Sequence, residues 1–102
     1  MSDEIVVYVD ADLEELTPEF LNNRQKDISD IERLVEVQAF PEIERLGHSM
    51  KGSGGGYGFE EVSRIGNAIE KAAKHGDKDA LLRLNNELAK YLSAVKVVYR
   101  QG

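Results

Sequence analysis

Between residues 52 and 58, five of seven positions are glycine, and they follow directly on a stretch with helical spacing. Glycine inside a helix costs about 1 kcal/mol against alanine, so Gly52, Gly54 and Gly55 together cost about 3 kcal/mol. Tertiary packing must offset that, and something must gain from bare backbone. On a helix at about 100° per residue, Ile43 to Tyr57 divides into two faces. With His48 at zero, Lys51 lies about 60° to one side, Gly52 about 40° to the other, and Gly55 about 20° away. Ile43, Leu46, Met50 and Tyr57 fall within about 40° of the opposite pole. A helix that buries this apolar stripe must turn His48 to water. Gly47 and Gly54 belong to the buried side, where a missing side chain lets a neighbouring helix come close. Gly52 and Gly55 lie on the histidine side and clear the approach to the imidazole. Gly56 and Gly58 are expected to end the helix.

The flanking segments repeat the helical pattern. Thr17-Pro18-Glu19 is a start signal: a capping threonine, proline at the first helical position, then an acid in the first turn. Leu21, Arg24, Ile28, Ile31 and Val35 then recur at threes and fours, predicting a helix to about Val37. Pro41, followed by Glu42 and Glu44, starts the helix that carries His48 and is expected to end near Gly56 to Gly58. Phe59-Glu60-Glu61 opens a third helix with Val62, Ile65, Ile69, Ala72 and Ala73 on one face. It stops at Lys74, His75 and Gly76, basic residues followed by a glycine able to take the left-handed cap. Asp77 caps a fourth helix, in which Leu81, Leu84, Leu88, Tyr91, Leu92, Val95 and Val98 continue the stripe almost to the C-terminus.

Four amphipathic helices on short loops predict an all-α, antiparallel up-and-down four-helix bundle over residues 17–102. Residues 1–16 precede it as an extended arm and a short helical turn. Within the arm, IVVYV at 5–9 is β-branched and aromatic, but no second strand pattern is visible. The arm is therefore expected to lie along the bundle or to pair with another copy, which leaves the oligomeric state open. Asp10 to Leu16 begins with helix-capping acids and suits a single turn.

At 102 residues the chain fits one domain. It has no cysteine, which excludes disulfides, thiolate metal sites and thiol nucleophiles. A net charge of −6 argues against nucleic acid or an anionic membrane as the main partner. No apolar run approaches bilayer length and the acidic N-terminus lacks a basic leader, so a cytoplasmic protein is expected.

A glycine run invites a phosphate-loop reading, but here the lysine precedes the glycines, the reverse of GxxxxGK[ST]. GxGxxG fails as well, since Gly52 and Gly54 would need a glycine where Tyr57 stands. With His75 the only other imidazole, a metal site would need mostly carboxylate ligands, and no metal is expected. His75 itself suits a helix C-terminus. No nucleophile elbow is present for a hydrolase. What remains is an exposed imidazole that itself reacts as a nucleophile, with Lys51 one turn after it and Arg45 one turn before to neutralise an anion. A phosphoryl group fits best, because its transfer needs positioning and charge stabilisation rather than a deep pocket.

His48-Ser49-Met50-Lys51-Gly52, with Gly58 ten residues after the histidine, resembles the HxxKG…G signature of histidine phosphotransfer (HPt) domains. The resemblance continues through Phe59, Val62, Ile65, Ile69 and Glu70 and covers most of the chain from about Asp12. It implies a four-helix bundle that exchanges a phosphoryl group with the aspartate of response-regulator receiver domains, in a relay fed by a hybrid histidine kinase. Carried onto this chain, His48 is the phosphoacceptor through its outer ring nitrogen, and Lys51 stabilises the phosphoryl charge. Arg45, Gly52 and Gly55 face the docking receiver. Glu70, 22 residues after the histidine, stands where the family often has a glutamine or glutamate, in a position to orient the imidazole. Positions 55 and 56 depart from a common alanine–asparagine pair, and Tyr57 replaces a common leucine, which bears on partner preference. The resemblance implies no kinase activity and no cofactor in this chain, the Mg²⁺ of transfer belonging to the receiver. Two other classes compete with the relay: a helical module that docks receivers without transfer, and a small metal- or ligand-binding bundle.

Overall fold

The computed structural model describes residues 4–101. Four helices carry most of the chain: α1 (Thr17–Glu36), α2 (Phe40–Gly54), α3 (Glu60–Lys74) and α4 (Lys78–Ala94). Each packs on its sequence neighbours, and α4 closes back on α1. Between them lies one core that includes Phe20, Ile31, Val35, Ile43, Met50, Phe59, Ile65, Ile69, Leu81 and Leu88. Most of these are positions that the three-and-four spacing marks as inward. Phe20 is buried where Leu21, the expected stripe residue, is half-buried, and Phe59 enters the core from just before α3.

Each turn has a local cause. After α1, the Gln38 N–H bonds the Val35 carbonyl and the Ala39 N–H bonds that of Leu34, with Gln38 in the left-handed region at φ 57°. This is the Schellman pattern, with glutamine where glycine is the usual residue. The same pattern follows α3, where Gly76 takes the left-handed position at φ 61°. After α2 the backbone tightens into a 3-10 turn, Gly55–Tyr57, and leaves through Gly58 at φ 90°. Asp77 caps α4 by accepting from the Ala80 N–H at 3.1 Å. The expected threonine cap of α1 is different: Thr17 is buried within the first turn, and its hydroxyl donates backward to the Leu13 carbonyl at 2.8 Å. Asp10 instead closes the short 3-10 turn Ala11–Leu13 by accepting from the Asp12 N–H.

Two expectations are corrected at the ends of the chain. α4 stops at Ala94 rather than running almost to the C-terminus, and Val95–Arg100 forms strand β2. β2 pairs in parallel with β1 (Ile5–Asp10), from Ile5 opposite Val95 to Asp10 opposite Arg100. The N-terminal arm thus finds its partner within the chain, and the fold is not purely helical. Val95 and Val98 are three apart and so fit a helical stripe, but Val95, Val97 and Tyr99 also alternate, and they pack against the core together with Val7 and Val9. β-branched residues suit the pleated surface, and two strands together satisfy backbone groups that neither satisfies alone.

The Arg24 in the apolar stripe of α1 also has a physical reason. Its Nε donates to Asp27 Oδ2 at 2.7 Å, its guanidinium lies 4.8 Å over the Phe20 ring, and a second N–H reaches Ser53 Oγ at 3.5 Å. Burial pushes the Asp27 carboxyl up, and Arg24 offsets that only in part.

Candidate functional site

α2 and α3 meet backbone to backbone. A Cβ added at Gly47 would stand 2.6 Å from the Glu70 nitrogen and 2.8 Å from the Gly66 carbonyl oxygen. One at Gly66 would stand 2.6 Å from Met50 Cβ and 2.7 Å from the Lys51 nitrogen. Glycine is required here by the close approach of two helices. The consequence is that side chains on α3 reach groups on α2.

Glu70 is the main case. Its Oε2 lies 3.0 Å from Nδ1 of His48, and its Oε1 lies 3.7 Å from the Lys51 ammonium. The Glu70 side chain is 13% exposed, that of His48 72% and that of Lys51 50%, so a sheltered carboxylate holds two groups that face water. Desolvation pushes the Glu70 carboxyl up, but the hydrogen bond from His48 and the charges of His48, Lys51 and Lys74 outweigh it and hold it below its ordinary value. A carboxylate at Nδ1 favours the tautomer in which that nitrogen carries the hydrogen, which puts the lone pair on Nε2. The arrangement is therefore an oriented, exposed imidazole with an ammonium one turn along.

A family model, the Hpt domain, matches residues 15–97, most of the chain. The chain belongs to the Hpt family. Hpt domains are histidine phosphotransfer modules of two-component systems rather than kinases. No curated protein and no solved structure matched the chain.

Around the pair, this Hpt domain places its other marked residues as follows. Ile43 and Met50 are fully buried opposite His48, and Leu46 is half-buried. Tyr57 belongs to the 3-10 turn and stacks on Phe20 at 4.5 Å between ring centroids. Arg45 is exposed and lines a shallow depression with Glu44, His48, Ser49 and Glu70. Gly52 is open, with nothing within 4 Å of an added Cβ, and Gly55 has only Ser63 Oγ at 3.7 Å. Gly54 is the reverse, an added Cβ meeting the Ser63 nitrogen at 2.6 Å. His75 caps the end of α3 five residues beyond Glu70 and is exposed.

Two neighbours of the site escaped sequence reasoning. Gly66 makes the other half of the helix crossing, and Ser63 bonds the end of α2 with its hydroxyl. The signal was present: Ser63, Gly66 and Glu70 are spaced three and four apart, a small-and-polar stripe beside the apolar one. Among the described residues no helix is long and apolar enough to cross a membrane, and no cluster of three His, Asp or Glu side chains is placed to hold a metal.

Proposed function

We propose that this Hpt domain is a phosphorelay intermediate. His48 takes a phosphoryl group from the aspartyl phosphate of a response-regulator receiver and passes it to another, in a cytoplasmic relay fed by a hybrid histidine kinase. One observation carries the proposal: an imidazole 72% exposed whose Nδ1 is held 3.0 Å from Glu70, so that Nε2 is the ring nitrogen left to react. In the transfer, the Nε2 lone pair forms the N–P bond while the P–O bond to the aspartyl carboxylate breaks, and the bonding pair leaves on that carboxylate. The hydrogen on Nδ1 stays, and Glu70 balances the positive charge that the ring gains. Lys51 turns from Glu70 to the phosphoryl oxygens, and Arg45 adds a second cation from the preceding turn. Gly52 and Gly55 let the receiver backbone approach, and the Mg²⁺ of the reaction is the receiver's. Connections of only a few residues favour antiparallel neighbours among the helices.

Incubation with a phosphorylated receiver is expected to label the chain in an acid-labile, base-stable form. His48→Gln should abolish the label with the melting temperature unchanged, and persistent label in that variant would refute the proposal. A module that only docks receivers would use the same face. Lys51→Ala distinguishes them, since in a relay it slows transfer about tenfold or more while binding persists.

A further inference from the structure

Ser63 stands on α3 seven residues before Glu70, with Gly66 between them, and all three face α2. Its hydroxyl donates to the Lys51 carbonyl at 2.9 Å and accepts from the Gly55 N–H at 2.8 Å. Those are the i and i+4 groups that close the last α turn of α2. Beyond them the backbone tightens into the 3-10 turn Gly55–Tyr57. The turn itself reads Lys51-Gly52-Ser53-Gly54-Gly55, and three glycines in five residues give it little tendency to hold a helical shape. Lys51 departs from this turn, so any fraying there moves the origin of its side chain.

We propose that Ser63 is a positioning residue for phosphoryl transfer. By tying the Lys51–Gly55 turn to α3, it keeps the Lys51 ammonium within reach of a phosphoryl group on His48. The proposal rests on the relay function above and deepens it: α3 sets the imidazole through Glu70 and the ammonium through Ser63. The two ties act at different ends of Lys51, Ser63 at its backbone and Glu70 Oε1 3.7 Å from its ammonium. Ser63 has no hydrogen bond to His48, so it acts through Lys51.

A double-mutant cycle on the full chain tests this. Transfer from a phosphorylated receiver domain is measured for the wild type, Ser63→Ala, Lys51→Ala and the double variant. Ser63→Ala is expected to lower kcat about fivefold with KM unchanged, the signature of a misplaced transition-state group. In the Lys51→Ala background the same change should cost less than about twofold, because the group it positions is gone. Ser63→Cys keeps a weak donor and acceptor at the same place and should fall between serine and alanine. It also carries the cycle should Ser63→Ala melt below the assay temperature. Equal slowing in both Lys51 backgrounds, or wild-type kcat in Ser63→Ala, overturns the assignment. A wild type that takes no label overturns the relay function and this inference with it, whereas a labelled wild type with an additive cycle overturns this inference alone.

Discussion

Gly47 and Gly52 stand five residues apart on α2 and serve opposite purposes. At Gly47 a side chain would meet the backbone of α3, which cannot move without shifting the whole helix. At Gly52 a side chain would meet nothing within 4 Å. One glycine is required by this chain's own fold; the other leaves bare backbone on the His48 side, where we propose the receiver docks. Gly54 and Gly56 repeat the contrast at the helix end, the first against Ser63, the second in the open. The glycines of α2 are therefore two features overlaid on one helix: a seam, with Gly47 at the point that brings Glu70 to His48, and a bare face around the imidazole.

Stability measurements can break this contrast. Gly47→Ala is expected to lose about 2 kcal/mol or more, since overpacking against backbone exceeds the helix-propensity gain. That corresponds to a melting temperature lower by about 10 °C, and an unchanged melt would show that the seam is loose. Gly52→Ala should do the reverse and gain about 1 kcal/mol, because alanine fits the helix and meets no neighbour. Its informative readout is a raised KM for the phosphorylated receiver at unaltered helicity. A variant that is both more stable and as good a substrate would remove the docking role from Gly52.

Gln38 and Gly76 sharpen the same distinction at two turns of one pattern. Gln38→Gly should stabilise by about 1 kcal/mol, as glycine relieves the left-handed strain that Gly76 does not have. Chemical denaturation of the two proteins side by side would show it. Acid supplies the smallest effect. Glu70's carboxyl lies below its ordinary value of 4.5 in the folded chain, so its contribution is present above that pH and is lost as the pH falls through the lowered value. The stability difference between wild type and Glu70→Gln should accordingly shrink on acidification below that point. A difference that stays constant would mean that Glu70 does not hold His48 through its charge.

The residues differ in how legible they were. His48 facing outward, Ile43 and Met50 facing inward, and the division of Gly47 and Gly54 from Gly52 and Gly55 all follow from helical arithmetic within fifteen residues. The capping of α4 by Asp77 and the left-handed Gly76 are likewise local. Glu70 was marked only by a family resemblance, because nothing within α3 indicates that its carboxylate reaches an imidazole on another helix. Ser63 and Gly66 went unmarked for the same reason. Val95 and Val98 were misassigned because three-residue spacing suits a helix as well as alternation suits a strand, and only a partner strand about 90 residues away decides between them.

By itself, the sequence determined whatever repeats with a helix's own period: four amphipathic segments, most of their ends though not that of α4, and the side of α2 on which the histidine stands. Tertiary structure decided which elements touch. It brought Glu70 to His48, Ser63 to the end of α2, and the last strand to the first. Periodicity is a property of one element, whereas these contacts depend on the distance and register between two, which packing sets and no local pattern encodes.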